Sequence, residues 1–125
     1  MNIEKIQSKL KMNGLHFSEC SVKRSAVIEE GKYQVDLSKQ IQQVAEHTYN
    51  VSLRLTAQKK DFELLVVAEA TFVFEGDDYS MEENVVHNNT VAIMYPYVRS
   101  QVTLMTSQPA MTPIVLPPIN TSNLT

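Results

Sequence analysis

The sequence predicts an α+β protein: a four-stranded antiparallel sheet with one long, proline-bent helix packed on it, followed by an extended C-terminal segment, in a single domain over residues 1–125. Three observations carry this expectation. Apolar and polar residues alternate with a period of two in successive runs between Tyr33 and Glu75. An apolar stripe at spacings of three and four then runs from Val91 to Met105. From Pro109 onward, prolines forbid further helix. A chain of 125 residues suits one compact domain and is short for two.

Taken in order, Leu15–Val22 reads as a first strand, preceded by Gly14, in which the phase of Leu15 and Phe17 changes at Cys20 and Val22. Lys23–Lys32 reads as a long loop whose tip, Val27 and Ile28, is apolar beside Glu29, Glu30 and Gly31. Tyr33, Val35, Leu37 and Ile41 alternate with Gln34, Asp36 and Ser38, giving a second strand. The third is the clearest, with Tyr49, Val51, Leu53, Leu55 and Ala57 on one face and Asn50, Ser52, Arg54 and Thr56 on the other. Lys59, Lys60 and Asp61 suit a hairpin turn into the fourth, where Phe62, Leu64, Val66, Ala68, Ala70, Phe72 and Phe74 share a side. Its opposite side carries Leu65, Val67, Thr71 and Val73 between Glu63, Glu69 and Glu75. A sheet face open to water should not hold three large apolar residues, so a later segment or a second subunit is expected to cover it, the second subunit being favoured.

Ser80-Met81-Glu82-Glu83 matches a capping box, in which Ser and Glu side chains satisfy free backbone donors at a helix start. After Asn88 and Asn89 comes a stronger helical pattern: Val91, Met94, Tyr95, Val98, Val102 and Met105 on one stripe, with Ile93, Tyr97 and Leu104 on another side. A helix apolar on two sides is expected to be buried on two sides. Pro96 removes a backbone hydrogen bond and crowds the carbonyl of Ala92, which predicts a bend. Beyond it, Pro109, Pro113, Pro117 and Pro118 impose extended backbone on a segment that Met111, Ile114, Val115, Leu116 and Ile119 make apolar. Such a segment should lie along the body of the protein.

Composition narrows the function. A net charge of -3 offers no basic face for nucleic acid, and Lys5, Lys9 and Lys11 read as the solvated side of a terminal segment. Met1–Leu10 never builds the apolar run of a secretory signal, and nothing approaches the roughly 20 apolar residues of a membrane span. Cys20 has no partner for a disulfide within the chain. A cytoplasmic protein is expected, and the N-x-[ST] matches at Asn50, Asn88, Asn120 and Asn123 read as chance. The acids Glu75, Asp77, Asp78, Glu82 and Glu83 lack calcium-loop spacing and suit a strand-to-helix turn. His16, His47 and His87 lack zinc spacing, and Gly14, Gly31 and Gly76 lie too far apart for a phosphate loop. No cofactor, no metal and no catalytic constellation is expected.

What remains is apolar surface. Val27, Ile28, Tyr33, Val35, Leu37 and the C-terminal segment exceed what a small sheet and one helix can bury, and such an excess marks an interface or a binding groove. A small enzyme is the weakest alternative, since no polar pocket is advertised.

At the helix the chain resembles a known family. Met94-Tyr95-Pro96-Tyr97-Val98-Arg99 is similar to the F-P-Y-A-R element of SecB-type export chaperones, and Leu116-Pro117-Pro118-Ile119-Asn120 to their L-A-P-V-N-F. Between them, Val102, Thr103, Met105 and Ser107 fall at similar positions. Upstream, Tyr49-Asn50-Val51-Ser52-Leu53-Arg54-Leu55-Thr56 resembles the family's Y-E-V-x-L-R-V-T strand. The resemblance implies a non-enzymatic holdase that binds unfolded clients, preproteins for Sec-dependent export, in an apolar groove. It places client contacts at Val27, Ile28, Tyr33, Val35, Leu37, Met111, Ile114 and Leu116. It further implies a dimer of dimers, a homotetramer, with Leu65, Val67, Val73, Tyr97 and Leu104 at subunit interfaces. The C-terminal helix and acidic tail of proteobacterial members are missing, and the charge is only mildly negative. Positions at which those members dock the motor SecA read here as Gly14, Ser18 and Val66, which argues against SecA as a partner. A dedicated adaptor for one partner, such as an antitoxin, is the alternative on the same fold.

Overall fold

A computed structural model describes residues 9–118; Lys5, Ile119 and the sequons at Asn120 and Asn123 lie outside them. Four strands, β1 (Leu10–Arg24), β2 (Gln34–Ala45), β3 (Thr48–Lys59) and β4 (Phe62–Phe74), precede a short 3-10 turn at Tyr79–Met81 and one helix, α1 (Glu82–Thr106). The strands form one antiparallel sheet in the order β1-β4-β3-β2, with β2 at one edge. The alternation in β3 and β4 emerges as expected. Val51, Leu53, Leu55 and Ala57 interleave with Leu64, Val66, Ala68, Ala70 and Phe72 in a face that water does not reach. The expected turn holds as a two-residue connection, Lys60–Asp61, between the paired residues Lys59 and Phe62.

β1 is longer than its sequence pattern predicts, and the reason lies in two irregularities. Its register against β4 shifts between Asn13 and His16 and again between Phe17 and Glu19. Each shift advances the alternation by one residue, so Met12, Phe17, Cys20 and Val22 all stand opposite core residues of β4. The phase change read at Cys20 is therefore a bulge, not a strand end. Gly14 takes the first irregularity at φ +66, a conformation other residues adopt only under strain.

α1 lies over β4, β3 and β1. Val91, Met94, Tyr95, Val98 and Val102 are buried against the sheet, as the first stripe requires, and Met105 packs partly against them. The helix runs without interruption through Pro96 and also through Asn88 and Asn89, starting earlier than its stronger periodicity indicates.

The expected capping box is absent. Ser80 does not cap α1: it donates its amide (3.0 Å) and hydroxyl (2.5 Å) to Asp78 Oδ1, and these bonds hold the Asp78 carboxyl below its ordinary range. The residue ahead of α1, Met81, contributes no side-chain cap. Glu82 instead turns inward, buried, and accepts hydrogen bonds from the Tyr49 hydroxyl and from His47 Nδ1. His47 occupies the β2–β3 turn at φ 56 and stacks on Tyr79 with 4.3 Å between ring centroids. One carboxylate thus joins the sheet, the 3-10 turn and the helix start, and being paired twice it avoids the cost of an unsatisfied buried charge.

Burial, then the hydrogen bond to Glu82 and its negative charge, push the Tyr49 hydroxyl from 10.0 up to about 12. A value raised by folding means this contribution to stability is whole below pH 10 and disappears as the pH climbs through 12. Tyr49→Phe should therefore flatten the alkaline fall in stability across that window, as read from urea denaturation at stepped pH.

Candidate functional site

Beside the helix, between the β1–β2 loop and the segment after α1, lies an open trough of 680 Å³. Ile28, Glu29, Glu30 and Gly31 line one wall, Tyr33 and Lys59 the floor, and Ala110, Met111, Thr112, Pro113, Ile114 and Val115 the other wall. β2 is the strand that α1 covers least, so the apolar residues of its inner face are only partly covered, and none of them lines the trough. Val35 is 42 % exposed and Leu37 is half-buried, opposite Ala57 and Leu55 of the core.

The floor is held rigidly. Tyr33 meets Phe62 edge to face at 5.3 Å, and the Lys59 ammonium sits 4.3 Å from the centre of the Tyr33 ring. The same ammonium donates to the Glu29 carbonyl at 2.7 Å, tying floor to wall. One face of the Tyr33 ring therefore carries a cation.

The far wall runs back along α1, as an apolar, proline-rich segment should. Thr103 Oγ1 donates to the Ile114 carbonyl (2.8 Å), the Ile114 amide donates to Thr106 Oγ1 (2.8 Å), and the Tyr95 hydroxyl donates to the Pro117 carbonyl (2.7 Å). Burial raises the Tyr95 hydroxyl above its ordinary range, keeping it a donor. Ile114 and Leu116 are buried, at 9 % and 5 % exposure, and so fasten the segment to the protomer. Met111 is half-buried in the wall, and Val115, at 73 %, points out. Of the loop-tip pair, Ile28 is half-buried in the wall and Val27 is 74 % exposed.

Several of these supports carry little signal in the sequence. Thr106 could have been found, since it stands four residues after Val102 on the core stripe yet is polar and fully buried. Arg24 could not. At the end of β1 it donates to the carbonyls of Ser25 (3.1 Å) and Ala26 (3.3 Å) in the loop, and to Gln108 Oε1 (3.3 Å) and the carbonyls of Pro109 (3.2 Å) and Ala110 (3.3 Å) where the chain enters the far wall.

The residues read as oligomer contacts fall on two other surfaces. Leu65, Val67 and Val73 are half-buried on the sheet face away from α1. Tyr97, 49 % exposed, and Leu104, 69 % exposed, project from the outer side of α1, where Leu104 and Val115 border a shallow hollow with Arg99. Val66 corrects the sequence reading. It is completely buried beneath α1 because it shares the inner face of β4 with Leu64 and Ala68, so it is no part of the sheet's outer surface. Gly14 and Ser18 are exposed. Among the described residues no helix is long and apolar enough to cross a membrane.

The trough beside this one-helix sheet has a mixed lining, Ile28, Tyr33, Met111 and Val115 beside Glu29, Glu30, Lys59 and Thr112, and offers a surface for binding. The family model for preprotein translocase subunit SecB matches residues 7–124, and the chain belongs to the SecB family, whose members are non-enzymatic chaperones. Among solved structures it is similar to the Mycobacterium tuberculosis Rv1957 SecB-like chaperone in complex with a ChAD peptide from the Rv1956 HigA1 antitoxin. The TM-score is 0.71 at 15% identity, over 93% of this chain and 94% of that one. It is also similar to a protein of unknown function from Streptococcus agalactiae, with TM-score 0.56 and 11% identity over 86% and 96% of the two chains. No curated protein sequence matches it.

Ala110, where the chain turns from α1 into the trough wall, has φ 59, a left-handed conformation that costs a residue with a Cβ about 1–2 kcal/mol. Ala110→Gly relieves that strain against the added chain entropy of glycine. A net stabilisation of about 0.5–1 kcal/mol is expected in chemical denaturation.

Proposed function

We propose that the protein is a holdase that captures unfolded or non-native polypeptides by burying their apolar side chains in the trough, with preproteins awaiting export as the first class of client. The observation that supports this most directly is the trough itself, with its half-buried Ile28, Tyr33 and Met111, beside an edge strand that leaves Val35 exposed and Leu37 half-buried. Each docked side chain of leucine size contributes about 1.5–3 kcal/mol. A micromolar complex needs about 8 kcal/mol, so several side chains must dock together, before any cost of ordering the client. Capture needs no nucleotide, because binding the unfolded state shifts folding by mass action. The protein would act in the cytoplasm, where clients are still unfolded.

Assembly strengthens this mode of binding. In our reading Leu65, Val67 and Val73 on the sheet, and Tyr97 and Leu104 on the helix, join copies of the chain into a dimer of dimers. Several troughs would then engage one client, raising its effective concentration at each. SecA is left out of this reading. A second reading, a dedicated chaperone for one partner such as an antitoxin, is favoured by the fold shared with the Rv1957 SecB-like chaperone, which was solved with an antitoxin peptide. A single stoichiometric partner in pull-downs, without general holdase activity, would select it.

Val35→Asp places a charge on the exposed part of the inner face and should abolish nucleotide-independent suppression of aggregation of a chemically denatured substrate, while circular dichroism remains native. An undiminished effect would remove β2 from the binding surface. Leu104→Glu should lower the native mass measured by light scattering by about half, since a charge cannot be buried unpaired in an interface.

A further inference from the structure

The two walls of the trough belong to segments far apart in sequence, yet one side chain bonds to the chain leading into each of them. Arg24 reaches two carbonyls of the β1–β2 loop, Ser25 and Ala26, and three oxygens after α1, those of the Gln108 side chain, Pro109 and Ala110. All five acceptors are neutral. A guanidinium carries five N–H donors in a rigid plane, and here its Nε, Nη1 and Nη2 are all engaged on these acceptors. The loop is fixed at two further points, by the Ser25 amide, which donates to the Asp61 carbonyl at 3.0 Å, and by the Lys59 ammonium, which donates to the Glu29 carbonyl at 2.7 Å. The wall residues Glu30, Thr112 and Pro113 are exposed, and of these ties only the Arg24 fork joins the loop to the segment after α1.

We propose that Arg24 is the positioning residue of the trough: its planar fork sets the spacing of the two walls, and client affinity depends on that spacing. The proposal rests on the reading of the trough as the client site. Arg24 itself does not line the trough, so its effect on binding passes through the walls. Preorganised walls bind more tightly because the cost of ordering them has been met before the client arrives. Lysine keeps the positive charge but offers a single three-donor ammonium, which cannot reproduce a planar fork across five oxygens.

The test uses the full-length protein and a fluorescent, apolar peptide that is unfolded alone. Arg24→Lys and Arg24→Ala are compared with wild type for peptide Kd, melting temperature and hydrogen exchange. Both variants are expected to weaken binding by about tenfold well below their melting temperatures, with faster exchange confined to residues 26–31 and 110–113. Lysine should fail to restore affinity even where it restores the melting temperature, a separation that a merely stabilising role would not produce. Should Arg24→Ala fail to fold, Arg24→Lys decides alone. A folded variant that binds the peptide as wild type does would overturn the clasp and leave the trough in place. A wild-type protein that binds no peptide would overturn both readings.

Discussion

The width of one helix governs the rest of this structure. An α-helix with its side chains is about 10–12 Å across, and strands lie about 4.8 Å apart, so one helix covers two strands well and a third in part. Here α1 is set over β4, β3 and β1, where Val66, Ala68, Phe72, Leu53 and Leu55 are excluded from water. β2, at the far edge, is left with Val35 exposed and Leu37 and Ile41 half-covered on the face it shares with the core. The surplus of apolar surface is thus a geometric consequence of packing four strands beneath one helix. Next to it, the loop before β2 and the segment after α1 face each other across Tyr33 and Lys59, and the trough is the gap between them.

Polar contacts decide how that gap is shaped. The apolar tail would gain from any apolar neighbour, since hydrophobic burial has no direction. Its course along α1 is specified by hydrogen bonds from Thr103, Thr106 and Tyr95. At the opposite end, Glu82 receives Tyr49 and His47 and so locks the start of the helix to the sheet. Lys39 plays a related part on β2. It points inward between Leu37 and Ile41 and donates to the His87 carbonyl at 2.9 Å, holding the edge strand to α1. An inward-facing charge on an edge strand also discourages unwanted pairing with other chains.

The elements with strong periodicity are legible in the sequence alone. β3, β4, the buried stripe of α1 and the extended tail follow from alternation, helical spacing and proline placement, each a local rule. β1 was half legible, because two bulges break its period and make one strand look like a fragment. The capping box misled for a different reason. Its pattern is local, but Ser80 lies in the 3-10 turn and spends its amide and hydroxyl on Asp78, so it does not reach the first turn of α1. The apolar members of the site were readable as excess hydrophobicity, whereas its supports were not. Arg24 and Thr103 are polar residues at unremarkable positions, and nothing in their neighbours announces what they reach.

By itself the sequence determined the α+β class, the faces of β3, β4 and α1, the extended tail, and a family likeness that the family model for SecB bears out. These rest on short-range periodicities, which a chain carries wherever its segments end up. Only the tertiary structure decided which apolar residues are spent inside and which remain outside. It buried Ile114 and Leu116, left Val35 and Val27 accessible, and brought Arg24 within reach of residues more than eighty positions away. Accessibility and long-range hydrogen bonding depend on how elements stack in space, and no local pattern encodes that.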